Sequence, residues 1–292
     1  MGVESLSIGN LQHPGTTWGE EDYTDPAQAA DDAHASWLIR VPNVRDSWIT
    51  GVHSRQAAAH TSTCHMLCNG ISLLSSFRIT VRDCAMRRPH YGGGGNGLMY
   101  RLQHSHECLV KNSVADFSRH GFVISHAGTS GNVFLLCEDR ETQRATGFSG
   151  SYNTGGSGSD NHMHFSHSNL WDRCHAHNSF YTAHNRTFSG TVPHGLTSAH
   201  AVYWNTTATG RAFTVSRPGS YTIGAAGLFA GETISGTTTL EVLPPAAAGR
   251  CIDISPVADS HVQDGQVALQ IQLNARPPEA MPRFYRINVR HR

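Results

Sequence analysis

Lysine is nearly missing from this chain: of its 22 lysine and arginine residues, only Lys111 is lysine. An arginine-only cation set suits planar carboxylates, which a guanidinium grips through two parallel bonds, and it follows equally from GC-rich coding; both readings stay open. Charge of either sign is sparse, at 15% of residues, with a formal net charge of zero. No global field draws the chain to nucleic acid or to an anionic membrane, so no nucleic-acid partner is expected and any recognition of charge is local. A run of 18 apolar residues is absent, which leaves no candidate membrane span. The N-terminus shows no basic segment followed by an apolar one, so no signal peptide is visible. The seven cysteines form no CxxC pair and no Cys/His finger, against a zinc ribbon or a dithiol redox motif. Cys64 and Cys68 are placed to pair locally, and the others read as core thiols. GxSxG is absent too. The GGGGN run at 92–96 precedes neither a helix nor a Lys-Ser/Thr pair, so it is not a phosphate loop. It reads as a tight turn, or as a bare backbone floor for a flat sugar ring.

What the chain does have is a returning pattern. Residues 44–54 read VRDSWITGVHS, 77–86 FRITVRDCAM, 108–114 CLVKNSV and 131–137 GNVFLLC. Each is a short aliphatic or β-branched run broken by Asn, Asp, Cys or Ser. With Ile49, Val81, Val110 and Leu135 as equivalent positions, the separations are 32, 29 and 25 residues, and Leu170 and Val202 extend the series by 35 and 32. A strand in every unit at this period, with no helical periodicity between, predicts stacked coils of a parallel β-solenoid, because one unit cannot bury its own apolar face. Stacking places Ile, Val and Leu in interior ladders, with Cys84, Cys108, Cys137 and Cys174 as small fillers near the turns. The expected fold is all-β. The coils occupy residues 1–243, and 244–292 follow the Pro/Ala break of TTTLEVLPPAAAGR as a strand-containing tail or the start of a second module. Residues 2–11 already read like a solenoid strand, from which we expect earlier coils to be missing. A short helix is expected in PAQAADDAH, with Pro26 in its first turn. The Gly/Ser-rich stretch 142–161 is expected to be a long loop, and VSRPGSYTIGAAG a final coil.

Twenty histidines stand out, eight of them between residues 162 and 200. On a strand, alternate residues share a face, so His162 and His164 are expected to point together, as are His104 with His106 and His175 with His177. Such pairs can bind Zn, Cu or Ni. No carboxylate or third histidine lies at a diagnostic spacing, and no metal ligands are named. For proton transfer the candidates are His162 and His164, His194 in PHG, and Arg119 with His120 in RHG, with Arg186 in NRTFSG beside them. A histidine poised near neutrality moves a proton, and an arginine neutralises a substrate carboxylate. Tyr181 is a conceivable proton donor. Trp171, Asn161, Asp160, His184 and Tyr91 are taken as candidate sugar-binding residues. Asp116, Asp139, Asp160 and Asp172 are available for the paired carboxylates of a hydrolase.

The runs ITVRDCAM (79–86), HYGGGGNG (90–97) and HECLVKNSVADFSRHGFVISHAGTSGNVF (106–134) resemble the right-handed parallel β-helix proteins of the pectate-lyase superfamily, over roughly residues 37–210. The resemblance implies a secreted, periplasmic or cell-surface protein with long loops on one side of the coils. It implies a groove along the parallel sheets that binds acidic polysaccharide, often with β-elimination at a uronate. There a cation or arginine neutralises the C6 carboxylate, a base takes the C5 proton and an acid protonates the leaving oxygen. In pectate lyases the resemblance implies Ca²⁺ held by an Asp cluster, with Arg or Lys as base. This chain shows no such cluster, its one lysine lies within a strand, and the NTD and RxK motifs of polygalacturonases are missing. The Asp31–Asp32 pair lies outside the coils. A histidine-based lyase fits the residues better: His164 or His194 as base, Arg186 or Arg119 on the carboxylate, Tyr181 or His162 as donor. The other readings are a non-catalytic glycan-binding or adhesin-like module, a hydrolase with paired Asp, and a metalloprotein using the HxH pairs.

Overall fold

In a computed structural model, the described residues are 1–11, 13–14, 22–27, 33–58, 62–93, 95–142, 158–183, 194–195 and 197–210, with strand backbone at intervals from 214 to 291. Helix is nearly absent among them, a 3-10 turn at Asp22–Thr24 aside. None is long and apolar enough to cross a membrane. The helix expected within PAQAADDAH falls largely outside the described residues, as does 143–157 of the Gly/Ser-rich stretch. The end of that stretch is not loop: Ser159–Met163 is a strand.

The chain divides into two compact units, Met1–Gly231 and Glu232–Arg292. In the second, three pairs run antiparallel: Thr238–Val242 with Ile287–His291, Asp253–Pro256 with Ile271–Asn274, and Val262–Gln263 with Gln266–Val267.

In the first unit the strands pair in parallel, and each sequence repeat adds one strand to the shorter of two long sheets and two to the longer. A seven-stranded sheet takes Trp37–Pro42, Asn69–Leu74, Leu98–Gln103, His120–Ser125, Ser159–Met163, Tyr181–Ala183 and Thr214–Val215 in chain order. The longer sheet branches from Arg45–Ser54. One branch climbs through Phe77–Arg82, Leu109–Lys111, Val133–Leu135, Leu170–Asp172, Val202–Trp204 and Tyr221–Ile223. The other climbs through Ala85–Arg87, Val114–Asp116, Glu138–Arg140, His175–Ser179 and Thr207–Gly210. The chain visits the three strand rows in turn and then starts the next rung, an arrangement compatible with a parallel solenoid. The N-terminal strand Gly2–Ile8 pairs with Arg45–Ser54 in the same parallel sense. The strands at 214–215 and 221–223 join the two sheets as the expected final coil.

Two rows of turns make the rungs superimpose. Between the two branches, the first turn residue has positive φ at every rung: Gly51, Asp83, Asn112, Leu136, Arg173 and Asn205, at 62, 56, 47, 54, 50 and 46°. The next residue is a small donor, Cys84, Ser113, Cys137, Cys174 or Thr206, which bonds the carbonyl two residues earlier. Four of these also reach a carbonyl one rung below, at Ile49, Val110, Phe134 and Trp171. Three of the four cysteines expected near turns are therefore buried thiols with a bonding role, and the fourth, Cys108, is a buried thiol on another turn that bonds His106 O. The local pairing expected of Cys64 and Cys68 is not formed. Neither is in a disulfide: Cys68 packs with Ala33 and Tyr91, where burial pushes its thiol up to about 12, while Cys64 lies beside Ser62 and Arg88.

The interior ladder reads Ile49, Val81, Val110, Phe134, Trp171, Tyr203 in strict register. Phe134 and Trp171 stack at 4.2 Å between ring centroids, and Trp171 and Tyr203 at 5.7 Å. This corrects the expected equivalences. Leu135 lies opposite Asp172, and Leu170 and Val202 lie in line with Val133, all one residue out of the core row. Side chains alternate with a period of two, so a slip of one residue exchanges inside for outside.

Candidate functional site

On the seven-stranded sheet the same alternation sends Ile39, Ile71, Tyr100 and Phe122 inward, and one register row to the outward side: Arg40, Ser72, Arg101, Val123, Asp160 and Thr182, of which Ser72, Val123, Asp160 and Thr182 are themselves buried. Arg101 interrupts an otherwise apolar strand, LMYRLQ. It is half-buried, bonds Ser125 Oγ at 3.2 Å, and lies within electrostatic reach of Arg40 and Asp160. Burial lowers its pKa first, with the neighbouring Arg40 adding to the effect.

A β-bulge sits at the centre of the site. Asn161 pairs with Ile124 and Met163 with Ser125, so His162 is an extra residue facing no partner strand position. Bulges re-aim side chains, and this one shifts the alternation of the residues that follow His162. Asn161 turns inward, where its Nδ2 donates to Tyr203 Oη at 2.9 Å and its Oδ1 accepts from Ser166 Oγ. His162 turns outward with Asp160, its Nδ1 2.8 Å from Asp160 Oδ2. The carboxylate accepts, so Nδ1 carries a proton. Asp160 is fully buried and the His162 side chain 14% exposed, so the pair is screened from bulk water without being sealed.

His120 completes the cluster from the rung below. It is 2% exposed, its Nδ1 donates to Gly158 O at 2.8 Å, and that atom lies 3.7 Å from Asp160 Oδ1. Burial pushes its pKa down to about 3, against the pull of Asp160, so this imidazole is neutral at ordinary pH. Two rows of imidazoles cross the rungs here. In one, His162 meets His120 edge-on at 5.1 Å and His194 at 4.9 Å. In the other, His126 lies 4.9 Å from His104 and 5.0 Å from His164. Burial, then the charge of Arg101 and the neighbouring imidazoles, pushes the pKa of His126 down to about 4. Among the described residues, His120, Asp160 and His162 are the one group of three His, Cys, Asp or Glu whose donor atoms lie within 4.8 Å of one another. Two imidazoles among three donors do not fit the all-oxygen shell that Ca²⁺ requires, so the calcium implied by the family resemblance has no cage here.

The predicted residues separate into three groups. Brought together are His120, His162, Asp160 and His194, with His164 nearby in the second imidazole row. Arg119 also belongs here, half-buried and acting on His120 through its charge. Removed from any surface role are Trp171, Tyr181 and Tyr91, each at most 1% exposed, and Asn161, which is wholly buried. Trp171 and Tyr181 pack against each other and against Tyr203 in the core; aromatic residues on inward strand positions are core, not wall. Burial holds the Tyr181 phenol well above its ordinary pKa, against a proton-donor role. Arg186 and His184 lie outside the described residues. The shared direction expected of His162 and His164 fails, because the bulge and the positive φ of His164, 57°, turn them into different rows. The paired-carboxylate option also disperses: Asp139 faces inward and Asp116 outward from neighbouring strands, and Asp172 lies on the other branch beside Arg173. Missed from the sequence were Arg101 and His126. The visible signal for Arg101 was a charge breaking an apolar strand at an outward position.

No protein-family model, no curated protein and no solved structure matches this chain.

Proposed function

We propose that this chain is a right-handed parallel β-helix protein of the pectate-lyase kind, exported to the periplasm, cell surface or medium. It binds an acidic polysaccharide across the outward face of the seven-stranded sheet and cleaves it by β-elimination. The observation that carries this reading is the 2.8 Å contact between His162 Nδ1 and fully buried Asp160. An imidazole held in one tautomer by a buried carboxylate presents Nε2 as a general base. His162 Nε2 takes the C5 proton of a uronate, the electron pair forms the C4–C5 double bond, and the bond from C4 to the glycosidic oxygen breaks. Arg101, within electrostatic reach of Asp160, and Arg119, within reach of His120, supply guanidinium groups to the C6 carboxylate, whose charge rises as C5 is deprotonated. His164, exposed beside His126, returns a proton to the leaving oxygen.

The test is the ultraviolet absorbance of unsaturated uronate on alginate, pectate and glucuronan. Turnover by the wild type, reduced about 10²- to 10⁴-fold in His162→Gln with melting unchanged, is the expected result. No turnover on any of the three polymers overturns the proposal. The low exposure of His162 favours a second reading, a binder without turnover, for which glycan-array binding on its own is the expected outcome.

A further inference from the structure

The residues that position the proton also make a ligand set. We propose that His120, Asp160 and His162 bind one divalent transition-metal ion of the Zn²⁺ class, and that the ion switches the His162 base off. The second half rests on the functional reading above; the first does not.

The argument starts from donor chemistry. Two imidazoles and one carboxylate select Zn²⁺, Cu²⁺ or Ni²⁺ over Ca²⁺ or Mg²⁺. Bond lengths of about 2.0–2.2 Å to such an ion put neighbouring donor atoms roughly 3 to 3.5 Å apart. Asp160 already lies 2.8 Å from His162 Nδ1 and 3.7 Å from His120 Nδ1, and one donor from each of the three falls within 4.8 Å of the others. Side-chain adjustments of an ångström or so close the set. The buried carboxylate of Asp160 gains a full counter-charge. The ion takes Nδ1 of both rings: the proton that His162 Nδ1 shares with Asp160 and the one that His120 Nδ1 donates to Gly158 O each pass through solvent to Nε2 of the same ring. No electron moves. With three protein ligands the ion keeps an open position, and the ring of His194 lies 4.9 Å from that of His162. With its Nδ1 on the ion and its Nε2 protonated, His162 has no lone pair left to take the proton from C5.

The chelator-stripped full chain is titrated with Zn²⁺ in competition with a chromophoric indicator. One ion per chain is expected at the tight end of the curve, undisturbed by excess Ca²⁺. His162→Gln weakens it at least about tenfold, while His177→Asn, on the other sheet, leaves it unchanged. Equal binding by wild type and His162→Gln, or displacement by Ca²⁺, overturns the site. Should His162→Gln fail to fold, the visible spectrum of Co²⁺ in the wild type decides: nitrogen and oxygen ligation is expected, and a thiolate charge-transfer band overturns it. If a uronate polymer is turned over, one equivalent of Zn²⁺ suppresses that turnover and chelation restores it. Full activity with the ion bound overturns the inhibitory half and leaves the site. Binding without turnover of any polymer instead removes the functional reading, and the inhibitory half with it, while the site stands.

Discussion

Asp139 is a carboxylate set into a ladder of small apolar residues: Met86, Ala115, Asp139, Ala176 and Ala208 follow one another in register and face inward. Ser159 Oγ and Ser179 Oγ each donate to its Oδ2 at 2.8 Å, yet burial still pushes its pKa up to about 6 from 3.8. The folded state therefore holds this proton at pH values where the unfolded chain has released it, and the contribution of Asp139 to stability falls as pH rises from about 4 to about 6. The size of the loss is on the order of 3 kcal/mol. Asp139→Asn cannot ionise, so the stability difference between variant and wild type, from urea unfolding at a series of pH values, grows in favour of the variant through that window and is flat above it. Gly121 lies against the same carboxylate: a Cβ there would meet Asp139 Cγ at 2.4 Å. Gly121→Ala is expected to lower stability by at least about 2 kcal/mol, read from the same unfolding curves. Trp171 gives the sharpest residue-level contrast with the sequence. As a core residue stacked between Phe134 and Tyr203, its change to alanine costs about 3–5 kcal/mol in unfolding experiments. A groove residue would instead change glycan affinity and leave melting alone.

At the scale of elements, the stack depends on turns that repeat their backbone conformation. The left-handed position between the two branches is filled by Gly, Asp or Asn at four of the six rungs named above, residue types that adopt it at low cost. Leu136 and Arg173 occupy it without that advantage, and Leu136 is 42% exposed as well. Leu136→Asn is expected to raise stability by about 0.5–1 kcal/mol, measured as a shift of the urea midpoint at constant slope. On the turn that leads into the other end of these strands, buried Asn132 donates both its backbone N–H and its Nδ2 to Asn169 Oδ1, each at 3.0 Å. Asn169→Ala strands two buried donors and should cost roughly 2–4 kcal/mol in the same assay. These turn rows were half legible. The Asn, Asp, Cys and Ser breaks in each repeat mark them, but which break carries the positive φ depends on rung-to-rung hydrogen bonds that no single repeat contains.

At the scale of the molecule, parallel stacking is what creates the site. Arg101, His120 and the Asp160–His162 pair come from three rungs and up to 61 residues of sequence. In the outward row, Arg101 stands two strands from Asp160, about 10 Å at the usual strand spacing. A chain of sugars crossing the rungs would meet the guanidinium and the imidazole together. Under the proposed function, Arg101→Lys keeps the charge, loses the two-pronged grip, and lowers kcat/KM on a uronate polymer about ten- to a hundredfold in initial-rate measurements.

The all-β class, the period near 30 residues, the small turn fillers and the concentration of histidine after residue 160 were present in the chain itself, because strand alternation and turn chemistry are local properties. The partners of those histidines were not. The inward turn of Asn161 and the outward turn of His162 follow from the pairing of Asp160 and Asn161 with Val123 and Ile124 on the previous strand, and the one-residue bulge at His162 shifts the alternation of what comes after it. The core row likewise settled on Phe134, Trp171 and Tyr203 over their aliphatic neighbours, since packing across rungs selects the register and local hydrophobicity does not distinguish residues one position apart.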